Sequence, residues 1–434
     1  MYSPNLASRR RAIRTAQGAW LTLLFLLTAC GSSDTNSTGG SGGSGGTAGT
    51  GGSAGVGGTG GAEVDPVFAI CAFTFDPTQL IGLVGTLPSI DADQEFDRSD
   101  AFDFSGRPIC AAYGGALFVS DPESPSVTRY DLDDAGSLVR GETVSFANFG
   151  LGPLSGIQPE LMQFISDERA YFIDRAQRIA VIWNPTTMVV IDSVELPVET
   201  PDGLVPAGGG GIATLGTTIV IPFAFLTDLG VNASTTVFVF LDTTTDTVTT
   251  DTFPDCGGIQ NARTVANGDT YFASNAVSAA NFRLGLPDSF PPCLARLPAG
   301  ATAIDRDFEL DLRDLVDGAP AASMLAGPGD SGFLTAYDES LVPITGDEDA
   351  GQIVVADAWR VYRAEQTGVN APATLVTDLP VGAGRLGGLV ADGRTYIFLP
   401  AADLSGSTAY DVTDAAAVEA ITASSLIYYV ARLR

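Results

Sequence analysis

The chain has 434 residues, with 51 acids against 22 basic residues and a formal charge of −29. That charge predicts no nucleic-acid partner, because binding phosphate requires clustered positive charge. Every basic residue is Arg; the absence of His and Lys excludes Ser–His and Ser–Lys hydrolysis and makes a zinc site unexpected.

The first predicted element is an export signal over residues 1–29. Arg9, Arg10, Arg11 and Arg14 precede an 11-residue apolar run from Ala19 to Ala29, and no acid occurs before Asp34. A membrane-spanning helix needs about 20 residues, whereas a basic segment followed by a short apolar one reads as a secretory signal. Leu27-Thr28-Ala29-Cys30 resembles the bacterial lipobox. That resemblance implies diacylglycerol on the Cys30 thiol and cleavage before it, so the expected partner is a membrane, reached through a lipid anchor. The Arg cluster is also similar to a twin-arginine signal, although Ala12 stands where that pattern has Phe, so either export route stays open. Gly31, where an Asp would favour the inner membrane by resemblance to the usual sorting rule, points to the outer membrane.

Residues 31–62 hold 15 Gly in 32 positions, the rest being mostly Ser, Thr and Ala. So little apolar area cannot offset the entropy of ordering. Together with Cys30, residues 30–62 therefore read as a lipidated leash with a typical end-to-end distance of roughly 30 Å. Without residues 1–29 the chain carries 18 Arg against 51 acids, a charge of −33, which favours solubility and would attract cations or basic partners.

Residues 63–434 form the predicted body. Short apolar or alternating runs rich in Val, Ile, Phe, Tyr and Thr are punctuated by Gly, Pro, Asp and Asn, the signature of strands and turns. Only 414–422 has a helical spacing. The class is therefore all-β. A loose repeat recurs with anchors at 116–121, 170–174, 218–222, 270–274, 333–337 and 395–399, about 45 to 60 residues apart, which suits a four-stranded propeller blade. The strand-like runs at 67–75 and 426–430 are left over; pairing them would complete a seventh blade and close the ring, removing unpaired edges. Tandem β-sandwiches are the alternative architecture.

Four Cys follow Cys30. An even number in an exported chain suggests disulfides. Of three possible pairings, Cys71–Cys110 and Cys256–Cys293 are favoured, because their separations approach one repeat; buried free thiols are the alternative.

Residues 170–197 and 242–248 resemble the YVTN and lactonase-like propeller repeats of surface proteins. The layout of lipobox, leash, N-terminal strand pair and an ending of the Tyr429-Val430-Ala431-Arg432-Leu433 kind is similar to myxobacterial surface lipoproteins of the myxochelin siderophore cluster. The resemblance implies an envelope protein linked to iron or metal-chelate uptake. The residues themselves support a rigid module binding an unidentified protein or small molecule. A carboxylate-dependent or lactonase-like hydrolase is the alternative from another class, since two carboxylates suffice for glycoside hydrolysis.

Three motifs resemble sites and lack their chemistry. Gly329-Asp330-Ser331-Gly332 resembles a serine-protease nucleophile segment, but no His or Lys exists to take the proton. Gly382-Ala383-Gly384-Arg385-Leu386-Gly387 matches a dinucleotide fingerprint, yet Asp392-Gly393 interrupts the helix that motif requires, so it reads as a loop between blades. Asp91, Asp93, Glu95 and Asp97 begin like a calcium loop but lack the Gly at the sixth position and place Phe102 where the bidentate acid belongs. Weak calcium binding or a solvated acidic loop are the two readings, and 345–350 invites the same comparison. No other cofactor is expected.

Overall fold

The computed structural model describes residues 65–434 apart from 77–78, 92–93, 208, 309, 366–370, 386 and 392. Seven antiparallel-built sheets form a ring, a seven-bladed β-propeller. Blade 1 is built from both chain ends. Its strands are Phe68–Asp76, Gln79–Leu87 and Phe102–Ser105, and the C-terminal Leu426–Arg432 pairs with Phe68–Asp76. Blade 2 is Cys110–Tyr113, Ala116–Ser120, Ser126–Leu132 and Leu138–Ser145; blade 3 is Met162–Ser166, Arg169–Asp174, Ile179–Asn184 and Val189–Glu195. In blade 4, Leu204–Pro206 and Ala213–Leu215 both pair with Thr218–Thr227, followed by Asn232–Asp242 and Val248–Phe253. Blade 5 is Ile259–Thr264, Thr270–Ser274, Cys293–Leu297 and Leu310–Asp311; blade 6 is Ala321–Ala326, Ser331–Tyr337, Trp359–Glu365 and Thr374–Leu375. Blade 7 is Gly387–Ala391, Arg394–Pro400, Ser407–Asp411 and Val418–Ala423, with Gln94–Phe96 added in parallel at its outer edge.

The six repeat anchors are the second strands of blades 2 to 7, and Phe68–Asp76 plays the same part in blade 1. The reason is burial on both faces. Ala116–Ser120, Thr270–Ser274 and Ser331–Tyr337 are buried at every position, so each reads as a continuous apolar run. Fourth strands such as Val189–Glu195 form the exposed rim. Neighbouring blades join through aromatic contacts, with Phe238 against Phe272 at 5.0 Å and Phe146 against Phe172 at 5.2 Å between ring centroids. Such pairs add about 0.5–1.5 kcal/mol beyond area burial.

Ring closure has three ties. Leu426–Arg432 is the innermost strand of blade 1, and Tyr428 Oη donates to the Pro108 carbonyl while Ala112 N–H donates to Tyr429 Oη at 2.6 Å. Cys71–Cys110 links blade 1 to blade 2, with Cα atoms 6.6 Å apart. The Gln94–Phe96 strand reaches back to blade 7, helped by an ion pair of Arg394 with Asp91 at 3.0 Å. The second disulfide, Cys256–Cys293, ties the segment between blades 4 and 5 to the third strand of blade 5.

Two departures from the sequence reading concern helices. Residues 414–422 do not form one; Val418–Ala423 is the fourth strand of blade 7, because Ala420 and Ile421 pack into the seam with blade 1. Two short helices, α1 (Ala276–Arg283) and α2 (Ala350–Val355), interrupt blades 5 and 6 between their second and third strands. The acidic stretch at 345–350 starts the second of them. Asp349 forms a capping box with Gln352, and Glu348 accepts from the amides of Thr345 and Gly346. Among the described residues, no helix is long and apolar enough to cross a membrane.

Candidate functional site at the channel mouth

Each blade is entered along its innermost strand, so the starts of all seven inner strands gather at one end of the central channel. Hydrogen bonds around the ring connect these starts. Gly156 N–H donates to the Arg107 carbonyl, joining blades 2 and 3. Thr214 Oγ1 donates to Gln163 Oε1 at 2.5 Å and Gln158 Nε2 to the Gly209 carbonyl at 2.7 Å, joining blades 3 and 4. Helices α1 and α2 pack together at the same end, where Gly384 N–H, leading into blade 7, donates to the Val354 carbonyl at 2.7 Å.

The chemistry of the mouth centres on Glu160. Pro159 opens a 3-10 turn, Pro159–Leu161, that feeds the inner strand of blade 3 and turns Glu160 inward, leaving it 2% exposed. Neither carboxylate oxygen makes an aligned hydrogen bond. Burial pushes its pKa up to about 7, against the opposing pull of its own amide, the Arg175 charge and the Gly211 amide. Arg175 lies in the hairpin after Arg169–Asp174. It donates to the carbonyls of Gly209 and Gly210, and its Nε is buried without a partner. Burial pushes the guanidinium down to about 10, partly offset by the Glu160 charge.

The glycines of the 209–211 loop are a packing requirement. A methyl group on Gly210 would overlap the Gln260 carbonyl of blade 5 and lie 3.0 Å from Glu160 Oε1. The loop is thus held between the Glu160–Arg175 pair of blade 3 and the inner strand of blade 5. Across the ring, Ser323 occupies a bulge in the inner strand of blade 6 with φ 56°, 1% exposed, its hydroxyl without a partner.

Most other Arg side chains serve the outer structure. Arg296 pairs with Asp305 and covers the Phe308 ring at 4.9 Å; Arg313 pairs with Asp311 and covers Phe282 at 4.4 Å. Arg175 differs in bonding backbone carbonyls beside a buried acid.

The residues singled out in the sequence sit elsewhere. Cys30 and Asp93 lie outside the described residues. Asp91 accepts from Ser89 Oγ at 2.9 Å and pairs with Arg394; Glu95 is exposed on the added strand of blade 7. Asp97 caps a 3-10 turn, and the Ser99 amide and hydroxyl lower its pKa. Asp91, Glu95 and Asp97 are spread along a strap, and no three potential metal ligands cluster among the described residues. Cys71, Cys110, Cys256 and Cys293 form the two favoured disulfides. Ser331 donates to the Pro328 carbonyl in a hairpin turn, and Gly384 packs on the Trp359 indole in the connection from blade 6 to blade 7. Sequence reading missed Glu160 and Arg175. The one available signal was the Gly run at 208–211, since consecutive Gly inside a folded body marks close backbone approach.

No family model matches the chain, and no curated protein matches it in sequence. Similar solved structures include a protein from Bacteroides fragilis assigned as a 6-phosphogluconolactonase (11% identity, TM-score 0.49, covering 86% of this chain and 99% of that one). Others are a protein from Lactobacillus plantarum (11%, 0.48, 85% and 99%) and apo AztD from Citrobacter koseri (10%, 0.43, 85% and 98%). The propeller assignment rests on the sheet topology itself.

Proposed function

We propose that this protein is an envelope-anchored binding module, held at the outer membrane through lipid on Cys30 and receiving a ligand at the channel mouth. The observation that carries the binding reading is Glu160. Burying a carboxyl whose hydrogen bonding is incomplete costs free energy, and Glu160 is kept buried at the end where the inner strands begin, with its own amide, the Gly211 amide and the Arg175 charge bearing on it. A small ligand offering a donor to the carboxyl completes its bonding. Lipid chains are needed for the anchoring because an acidic body gains nothing from an anionic surface, and a single acyl chain binds only marginally.

Two measurements test the two halves. Cys30→Ser is expected to move the protein from the membrane fraction to the soluble one; continued fractionation with membranes sinks the anchor. A thermal-shift screen of the full chain against sugars, lactones and ferric chelates is expected to find a class that stabilises the parent and not Glu160→Gln. Equal stabilisation of both would place binding away from the mouth.

The pKa of Glu160 favours a second reading, a hydrolase using this carboxyl as general acid near neutral pH. Turnover of a lactone or glycoside that disappears in Glu160→Gln is its expected signature.

A further inference from the structure

The two ends of the ring differ in what their loops leave uncovered. Inner strands start at the mouth, so second strands finish there, and each connection from second to third strand lies at that end. In blade 4 this hairpin joins strands of 10 and 11 residues, and its tip leaves Leu229 69% exposed. Val205 is exposed on Leu204–Pro206, which pairs with the same end of Thr218–Thr227. In blade 6 the corresponding connection exposes Leu341, Val342 and, at the end of α2, Val355; in blade 7 it exposes Leu404. Phe75 of blade 1 is exposed at the mouth end also, and the remaining exposed large apolar side chains lie on outer strands, such as Val139. Among the described residues, none lies in a connection at the far end.

These pieces are joined to one another. Asn232 Nδ2, at the base of the blade 4 hairpin, donates to Asn275 Oδ1 and Ser278 Oγ at the start of α1, both at 2.9 Å. Helices α1 and α2 share an apolar core, and Arg283 of α1 makes a two-pronged ion pair with Glu339, in the turn before Leu341. Leu404 carries a signal of its own. Its backbone is left-handed, with φ 59°, a conformation that a bulky side chain disfavours. Met188 shares that conformation but is buried in the core of blades 2 and 3. Leu404 is 39% exposed, so packing within the chain does not account for it.

Acids stand next to these apolar groups. Asp228 precedes Leu229, Asp403 precedes Leu404, Asp357 follows Val355 by two residues and Asp202 precedes Val205 by three. All four are exposed, and the ion pairs of this region engage Glu339 and Asp338 instead. A second copy fits poorly, because a two-fold interface would set this acidic face against itself. An anionic bilayer fits poorly for the same reason. A partner carrying cations among apolar side chains matches both features. We propose that the mouth-end face of blades 4, 6 and 7 docks a polypeptide segment in which Arg or Lys alternates with apolar residues. The apolar residues cover Leu229, Val355 and Leu404, and the cations meet Asp228, Asp357 and Asp403. This surface shares an end of the ring with Glu160 and does not depend on it.

Fluorescence anisotropy with the full chain tests the surface, using a labelled amphipathic peptide of Leu and Lys, with Gly/Lys and Leu/Glu peptides as controls. The parent is expected to bind the Leu/Lys peptide and to lose about tenfold in affinity when Leu229→Ser is combined with Leu404→Ser. Both side chains are exposed, so the substitutions spare the core; Leu229→Ser alone, at a hairpin tip, serves if the pair fails to fold. Val139→Ser, on an outer strand, is expected to bind as the parent does. No binding by the parent, equal affinity in parent and double variant, or an equal loss in Val139→Ser overturns the proposal. Either control peptide binding as tightly as Leu/Lys overturns it too, since one of the two matched features would then be idle. Self-association of the parent in sedimentation, abolished in the double variant, assigns the face to a second copy and likewise overturns it.

Discussion

The innermost strand of each blade and the strand beside it are one hydrogen-bonded ladder apart, yet they differ in chemistry. Second strands such as Thr218–Thr227 and Ser331–Tyr337 lie between neighbouring blades and are apolar for most of their length. Inner strands such as Met162–Ser166, Ile259–Thr264 and Ala321–Ala326 are short and carry Gln163, Gln260, Asn261 and Ser323. These inner strands hold smaller and more polar side chains even though Ala321–Ala326 is buried throughout. The fold thus stores its stability one strand out from where it places its polar groups.

That division can be broken deliberately. Phe333, fully buried in the second strand of blade 6, is the severest test: Phe333→Ala is expected to cost about 3–5 kcal/mol in urea unfolding. A loss under about 1 kcal/mol would mean that second strands do not dominate stability. Cys71–Cys110 joins a second strand to an inner one, so its removal probes the seam between the two populations. Replacing both residues by Ala is expected to cost about 4 kcal/mol, on the loop-closure estimate for a separation of 39 residues. Intact mass before and after reduction verifies the bond in the parent.

The smallest effect has the opposite sign. Ser323→Gly, on an inner strand, relieves a left-handed backbone and removes a buried hydroxyl without a partner. It is expected to stabilise by about 1 kcal/mol in the same assay. Destabilisation there would show that the bulge needs its hydroxyl for packing, and the contrast between strands would lose its simplest example.

The same contrast explains what was legible in the sequence. Apolar density marked all six anchors and Phe68–Asp76, because second strands must be buried on two faces; it also marked Leu426–Arg432, an inner strand that is apolar because it packs in the closing seam. Strand count and ring closure followed from them. The other inner strands escaped notice: Cys110–Tyr113 and Gly387–Ala391 are too short and too rich in small residues to look like strands. The candidate site lies at their starts, so it was hidden with them. Glu160 is one of 51 acids, and its burial is decided by Pro159, by a glycine loop about 50 residues away and by a blade further on. The acids that drew attention at 91–97 were conspicuous because they were close in sequence. They are exposed or partly exposed where described, and they serve a strap that closes the ring. Helices α1 and α2, at eight and six residues, were too short for a periodicity to register.

The meeting of the chain ends has a practical side. Val67 N–H donates to the Arg434 carbonyl at 3.1 Å and Leu433 N–H to the Val67 carbonyl at 2.8 Å, and both lie where the inner strand of blade 1 finishes. That is the far end of the channel from Glu160. Under the proposed anchoring, the attachment point lies at the end of the ring opposite Glu160. A reporter or capture tag fused after Arg434 sits at that same end, away from Glu160.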